Sequence, residues 1–307
     1  MLELQELVEE FLFDCEARGL SKETLKSYNF YMKTFMRFCL DKEVKNVDQL
    51  NSRVLKQYSV SLIKRGYEES YINTLLTVLK SLISYLVEEK YIDERIEVKN
   101  VKEKTKVIQT FSDFEVEKML ETLKGNSYIE IRDRAVIYML VDCGLRAGEV
   151  IRLREKDIKE NNTLFIQGKG KKERFVPFSA QLKRAMLKYE RAKNSFFIDK
   201  KHTPDYYFLG RYGQPLSNFI IQDICRKVGE RANITETRVF PHNFRHYYAV
   251  KNLREGLDLY SLSRLLGHSD IATTSIYTSS LRNEELFDIV KERTPLTTFN
   301  KRGGRRI

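Results

Sequence analysis

Three of the chain's four histidines fall between positions 241 and 277, in PHNFRHYYAVKNLREGLDLYSLSRLLGHSDIATTSIY, beside Arg245 and Tyr277. His242, Arg245 and His246 stand at i, i+3 and i+4. On a helix all three project from one face and can converge on a single ligand. Imidazoles beside a guanidinium favour an anion. A zinc site is a poor fit, because Asn243 stands where a metalloprotease helix carries its glutamate base, and Arg245 puts a fixed positive charge where the metal would sit. No metal and no other cofactor is expected. Further upstream, Arg146 in CGLRAGEVIRL follows a helix stop at Gly144, and a new helix starting at Ala147 places it at a first turn, where free N–H groups and a guanidinium both suit a phosphate oxygen. Glu149 lies one turn on and is placed to orient that arginine. Lys169 sits near the tip of a glycine-bracketed turn, Gln167 to Glu173, with Lys171, Lys172 and Arg174 adding charge that suits DNA.

The elements that must hold these groups can be read from the local pattern. Pro241 suits a first helical turn, since its missing N–H would have had no partner there. A second helix is expected from Asp258 to Leu266, with Leu259, Leu262, Leu265 and Leu266 inward and Gly267 ending it. His268 therefore falls on a turn. Ser269 or Asp270 can cap a following helix over IATTSIYTSS, and the break lets His268 and Tyr277 face one site, which a single unbroken helix would forbid. Leu164 to Ile166 and Arg174 to Val176 read as the two strands of a hairpin around Lys169. Helices are expected from Asp113 to Leu123 and from Ile129 to Cys143.

The chain has a two-domain length of 307 residues, and its charged fraction of 32% is in basic excess, with a formal net charge of +11. That balance points to a polyanion partner, nucleic acid ahead of an acidic protein or a membrane surface. No apolar run is expected to reach the roughly 20 residues that span a bilayer, and the acidic, amphipathic start MLELQELVEE is unlike a signal or transit peptide. Cys15, Cys39, Cys143 and Cys225 form no C-x-x-C pair and read as buried thiols of a cytoplasmic, nucleoid-associated protein.

Residues 1 to about 93 read as four helices: Leu4 to Arg18, a second opened by Ser21, Asp48 to Arg65, and Ser70 to Lys90. Leu25, Tyr28, Met32, Phe35, Met36 and Cys39 give the second its core face. The polar faces carry Lys22, Lys26, Lys33, Arg37, Lys56, Lys64, Arg65 and Lys80, a surface suited to tracking phosphates. VKNVKEKTKVIQTF, residues 98–111, has basic residues throughout and no helical stripe, as an extended linker would.

Arg146 within GLRAGEV, Lys169 within GKGKKERFVPF, His242 and Arg245 within PHNFRH, and His268 and Tyr277 within LLGHSDIATTSIY resemble, in order and spacing, the tyrosine recombinase (phage integrase) family. The resemblance covers essentially the whole chain and is nearest to the compact Xer-like and transposon-encoded members. Asn243-Phe244 replaces the commoner Asp-Leu, and Tyr247-Tyr248 follows His246 where small or hydroxyl residues are frequent. The resemblance implies a mainly α fold with a small antiparallel sheet and two domains closing as a clamp on duplex DNA. A helical core-binding domain would span 1–97, a basic linker 98–107, a catalytic domain 108–294 and a basic tail 295–307 that docks on a neighbouring protomer. It implies site-specific strand exchange by a homotetramer on synapsed DNA sites, through a 3′-phosphotyrosyl link and a Holliday junction, with a second recombinase or accessory factor as a further partner.

Tyr277 would then attack the phosphodiester, with His242 the candidate acceptor for its proton, since a phenol of pKa about 10 is a weak nucleophile at neutral pH. Arg146 and Arg245 would answer the charge on the non-bridging oxygens, His268 would donate a further hydrogen bond, and Lys169 would protonate the leaving 5′-oxygen. Glu149 and His246 would support these groups. A type IB topoisomerase shares the chemistry, and a DNA-binding regulator with a vestigial site shares the charge.

Overall fold

The computed structural model describes residues 2–94, 96–103, 109–168, 173–199, 205–268 and 270–280. The chain divides into two compact units, Met1–Lys106 and Val107–Ile307. The first is a helical bundle of α1 (Leu4–Ala17), α2 (Lys22–Asp41), α3 (Ser52–Lys64) and α4 (Glu69–Glu88). Ser21 caps α2 by accepting from the Thr24 N–H at 3.2 Å, and Gly19 and Gly66 follow α1 and α3 with φ of 79° and 76°. The third helix starts later than its periodicity suggests. Val47–Gln49 forms a separate 3₁₀ turn, and Asn51 then caps α3 through the N–H groups of Arg53 and Val54.

Phe11, Met32, Phe35, Tyr58, Leu62, Leu76 and Leu79 close the core of this bundle, and the Phe35 and Tyr58 rings meet edge-on at 5.1 Å. By length and a mean hydropathy of 1.3, α4 could cross a membrane, contrary to the expectation that no apolar run would reach that size. Half of that stretch is buried inside the unit, so a core-helix role accounts for its composition. Buried Asn73 on α4 ties down the segment that follows, donating to the Val101 carbonyl at 2.9 Å and accepting from its N–H at 2.8 Å. Lys22, Lys26, Lys33, Arg37, Lys56, Lys64 and Arg65 are exposed, while Lys80 is half-buried and bonded to Asn100.

The second unit is built around α6 (Tyr128–Cys143), which packs on α8 (Ala180–Phe196) and α10 (Pro241–Arg254) through Ala135, Val136, Met139, Leu140 and the side chains they meet, among them Met186, Tyr189 and Phe244. The fold is mainly α with a small antiparallel sheet. Ser112 and Ser127 open α5 (Asp113–Glu121) and α6 with reciprocal caps to Glu115 and Glu130. Gly144 then ends α6 at φ 58°, and a Cβ there would lie 2.5 Å from the Tyr248 ring, so turn and packing both require glycine. α7 (Ala147–Arg152) follows at once.

The sheet has three strands, β1 (Ile158–Lys159), β2 (Thr163–Gln167) and β3 (Glu173–Pro177), in the order β1-β2-β3. The hairpin was legible in sequence and the short β1 was not. In the β2–β3 register Phe165 faces Phe175 and Ile166 faces Arg174. Period-two alternation therefore puts Arg174 on the same face as buried Leu164, Ile166 and Val176. α8 and α9 (Asn218–Arg231), each capped by a serine side chain, complete the core. α11 (Leu259–Leu266) is capped by Asp258 and ended by Gly267 at φ 66°, as the sequence suggests. The helix expected over residues 271–280 is broken instead into α12 (Ala272–Ser275) and a 3₁₀ turn, Thr278–Ser280, with Tyr277 between them.

Candidate active site

The last carbonyls of a helix have no partner within it, and they sit at the negative end of its dipole. At the end of α11 three arginines take those places. Arg174 donates to the Leu265 carbonyl at 2.7 Å, and the Leu266 carbonyl accepts from Arg245 at 2.6 Å and from Arg146 at 3.4 Å. Arg146 reaches it from the start of α7, Arg174 from β3 and Arg245 from the second turn of α10. Nothing in the residue types forecast this convergence, because its acceptors are backbone atoms.

Glu149 joins two of the three. It accepts the Arg146 N–H at 2.9 Å and its guanidinium at 3.1 Å, and both of its oxygens meet Arg174. Burial pushes this carboxyl up, but the bonds and charges of Arg174 and Arg146 outweigh it and hold the pKa below the ordinary value. The expected pairing of Glu149 with Arg146 is present. Arg174 does not present the DNA-facing cation expected from its charge: its side chain is 9% exposed and all three nitrogens are bonded inward.

Arg245 is 1% exposed, and it donates to the Gly144 carbonyl at 2.8 Å as well as to Leu266. Its third bond, 3.0 Å, runs to Nε2 of His268. A guanidinium can only donate, so this imidazole nitrogen accepts, and the ring proton belongs on Nδ1, which faces the Thr274 hydroxyl at 2.8 Å. Burial and then the cations Arg245, Arg146 and Arg174 lower the His268 pKa to about 4, which keeps the ring neutral. His268 is therefore an acceptor toward Arg245, not yet the donor the sequence suggests. Among the described residues Arg245 bonds to no carboxylate, its Nε has no partner, and burial brings its pKa down to about 10.

Tyr277 is 1% exposed and packs with Tyr248, Val250, Leu253, Leu262 and Leu266. Burial raises its pKa, against the pull of Arg245 and Arg146. Its hydroxyl lies 3.1 Å from Nδ1 of His246, so the imidazole that meets it is not the expected His242 but the one a helical turn further on. His242 keeps an exposed position in the first turn of α10, its ring 4.5 Å from that of His246. Burial and the charge of Arg245 and Arg146 depress its pKa. Asn243, buried behind this face, donates to the Arg238 carbonyl at 2.8 Å and so fixes the start of α10.

A cleft of about 1030 Å³ runs beside Arg146, Glu149, Arg174 and His268 to Gly168. Lys169, Lys171 and Lys172, like the tail from Pro295, lie outside the described residues.

Two sequence families match the chain. Residues 109–284 match the phage integrase family, and residues 7–93 the phage integrase N-terminal SAM-like domain. The chain is 29% identical over 282 residues to a protein named tyrosine recombinase XerD from Staphylococcus haemolyticus, covering 90% of this chain and 94% of that one. Among solved structures, the XerH site-specific recombinase bound to palindromic difH substrate in a post-cleavage complex is similar with a TM-score of 0.75 at 18% identity, over 94% of this chain and 84% of that one. The Tn1549 transposon integrase in complex with circular intermediate DNA gives a TM-score of 0.72 at 16% identity, over 93% and 98%.

Proposed function

The chain belongs to the phage integrase family and is a tyrosine-type site-specific DNA recombinase, and we propose that Tyr277 is its nucleophile, with Arg146 and Arg245 holding the scissile phosphate. The observation that carries this assignment is Arg245. Among the described residues this buried cation hydrogen-bonds only to neutral groups and feels Glu149 without touching it, an arrangement that is costly unless an anion completes the site. A phosphodiester seated against Arg245 and the half-exposed Arg146 supplies that charge, and planar guanidinium forks match its oxygens.

Attack by the Tyr277 oxygen on phosphorus forms a 3′-phosphotyrosyl bond as the bond to the 5′-oxygen breaks. Lys169 protonates that leaving oxygen, and Lys171 and Lys172 hold the adjoining backbone. Charge growing on the non-bridging oxygens is met by the two arginines, each by analogy with arginine fingers contributing about 10³-fold or more. Once phosphate draws Arg245 away and offsets its charge, Nε2 of His268 takes up a proton and donates it in a hydrogen bond to the same oxygens, while Nδ1–H stays on Thr274. The covalent link conserves the bond energy, so a 5′-hydroxyl from a partner strand reverses the attack without ATP. Exchange of two strands gives a Holliday junction within a homotetramer on synapsed sites. The unit Met1–Lys106 grips DNA through its exposed Lys22, Lys26, Lys33 and Arg37, and the tail from 295 docks on a neighbouring protomer.

The test is covalent trapping on a randomised duplex library carrying nicks, followed by sequencing of the trapped ends and strand exchange between two plasmids bearing the recovered site. Recombinant plasmid and a free 5′-hydroxyl are expected. Relaxation of plasmids that lack the site would indicate a topoisomerase, and binding without cleavage a regulator.

A further inference from the structure

We propose that His246, in place of His242, takes the proton from the Tyr277 hydroxyl as it attacks. The proposal rests on the assignment of Tyr277 as nucleophile and concerns where its proton goes. Tyr277 Oη and His246 Nδ1 lie 3.1 Å apart, within the reach a general base requires. The rings are 5.4 Å apart between centroids, whereas His242 stacks edge-on against His246 nearer the surface. Tyr277 is 1% exposed, so bulk water is not at hand and the acceptor has to be a side chain already in place.

The electrostatics tie this transfer to the arrival of substrate. The groups that act on His246 are His242 and Arg245 on its own helix and Tyr277 from the segment after α12. Burial, then His242 and Arg245, lower its pKa to about 4. At neutral pH the ring is therefore uncharged and has a free lone pair, yet it is too weak a base to ionise the phenol without DNA. A phosphate against Arg245 offsets that cation, and the basicity of His246 rises when there is something to cut. In the step itself the O–H bond of Tyr277 breaks and an Nδ1–H bond forms, with the ring proton already on Nε2. The phenolate oxygen bonds to phosphorus and the 5′-oxygen leaves with a proton from the general acid. Religation returns the Nδ1 proton to Tyr277.

The experiment measures single-turnover formation of the covalent adduct on a nicked duplex, with half-site binding and thermal melting followed alongside. His246→Ala should slow adduct formation by about 10²-fold or more, and added imidazole should restore part of the rate, increasingly so for more basic imidazoles. His246→Gln retains a polar group beside Tyr277 but cannot accept a proton, and it should stay slow without responding to imidazole. His242→Ala should not respond either. An unchanged rate in His246→Ala, a His246→Gln protein as fast as the parent, or imidazole rescue confined to His242→Ala would each overturn the proposal. If His246→Ala fails to fold, the His246→Gln rate decides. Tyr277→Phe separates the two levels: an adduct persisting there removes the nucleophile assignment itself, whereas its loss leaves the histidine results to judge this inference alone.

Discussion

Glu149 meets the guanidinium of Arg174 with both carboxylate oxygens, at 2.9 and 2.8 Å, and through the same carboxylate holds Arg146. The pair fastens β3 to the start of α7, and Arg174 continues to the end of α11. All three Arg174 nitrogens are thereby engaged within the protein, and Arg174 is expected to position the site rather than to contact DNA. Arg174→Ala should cost roughly 3–5 kcal/mol of stability, because it leaves a buried carboxylate without its main partner. The salt dependence of DNA binding separates positioning from contact. Its slope should be unchanged in Arg174→Ala, whereas losing a true phosphate contact would lower it by about one.

The same carboxylate makes an acid-dependent prediction. The folded pKa of Glu149 lies below its ordinary value of 4.5, so its pairing contributes stability that is complete above that value and is lost as pH falls through the depressed folded pKa. The gap in melting temperature between the parent and Glu149→Gln should be widest near neutral pH and should narrow below about pH 4. Melting curves across that range check it; a gap that widens on acidification would contradict the ion pair.

Thr274, fully buried, fixes the tautomer of His268 through the 2.8 Å bond to Nδ1. Thr274→Val preserves shape and removes that acceptor, at a cost of about 1 kcal/mol. Nitrogen NMR of the labelled histidine should show the Nδ1–H form in the parent and a mixture in the variant, and cleavage should slow. An unaltered tautomer would show that Arg245 alone orders the ring.

How far these contacts can be read from sequence depends on what each one is made of. The stripe in α2, the glycine stops at Gly144 and Gly267 and the hairpin are local features, and local periodicity finds them. The face shared by His242, Arg245 and His246 follows from helical spacing alone. The capture of three arginines by the Leu265 and Leu266 carbonyls does not, since backbone acceptors leave no mark in residue type. Arg174 is intermediate. Its charge suggested solvent, while strand alternation with Val176 placed it inside, and alternation prevailed because Glu149 compensates the buried charge. Which of the two histidines on one helical face lies beside the Tyr277 hydroxyl could not be read from helical spacing, because it depends on where Tyr277 comes to rest; in the structure His246 is the one 3.1 Å away. α8 and α9 carry no chemistry-bearing motif, and neither was read from the sequence.

Lys169→Ala should cleave ordinary DNA poorly and recover on a substrate in which the bridging 5′-oxygen is sulfur, because a thiolate leaves without a proton. Comparing the two substrates in single-turnover cleavage checks this. Equal loss on both would remove Lys169 from the role of acid and leave it a backbone contact.

The central claim is that one phenolic oxygen becomes joined to DNA. Trapped covalent complex, digested with nuclease and protease and sequenced by mass spectrometry, should yield a single nucleotide-bearing peptide modified at Tyr277, attached through a 3′-phosphate. A modified residue other than Tyr277, or a 5′-phosphate linkage, would contradict the account.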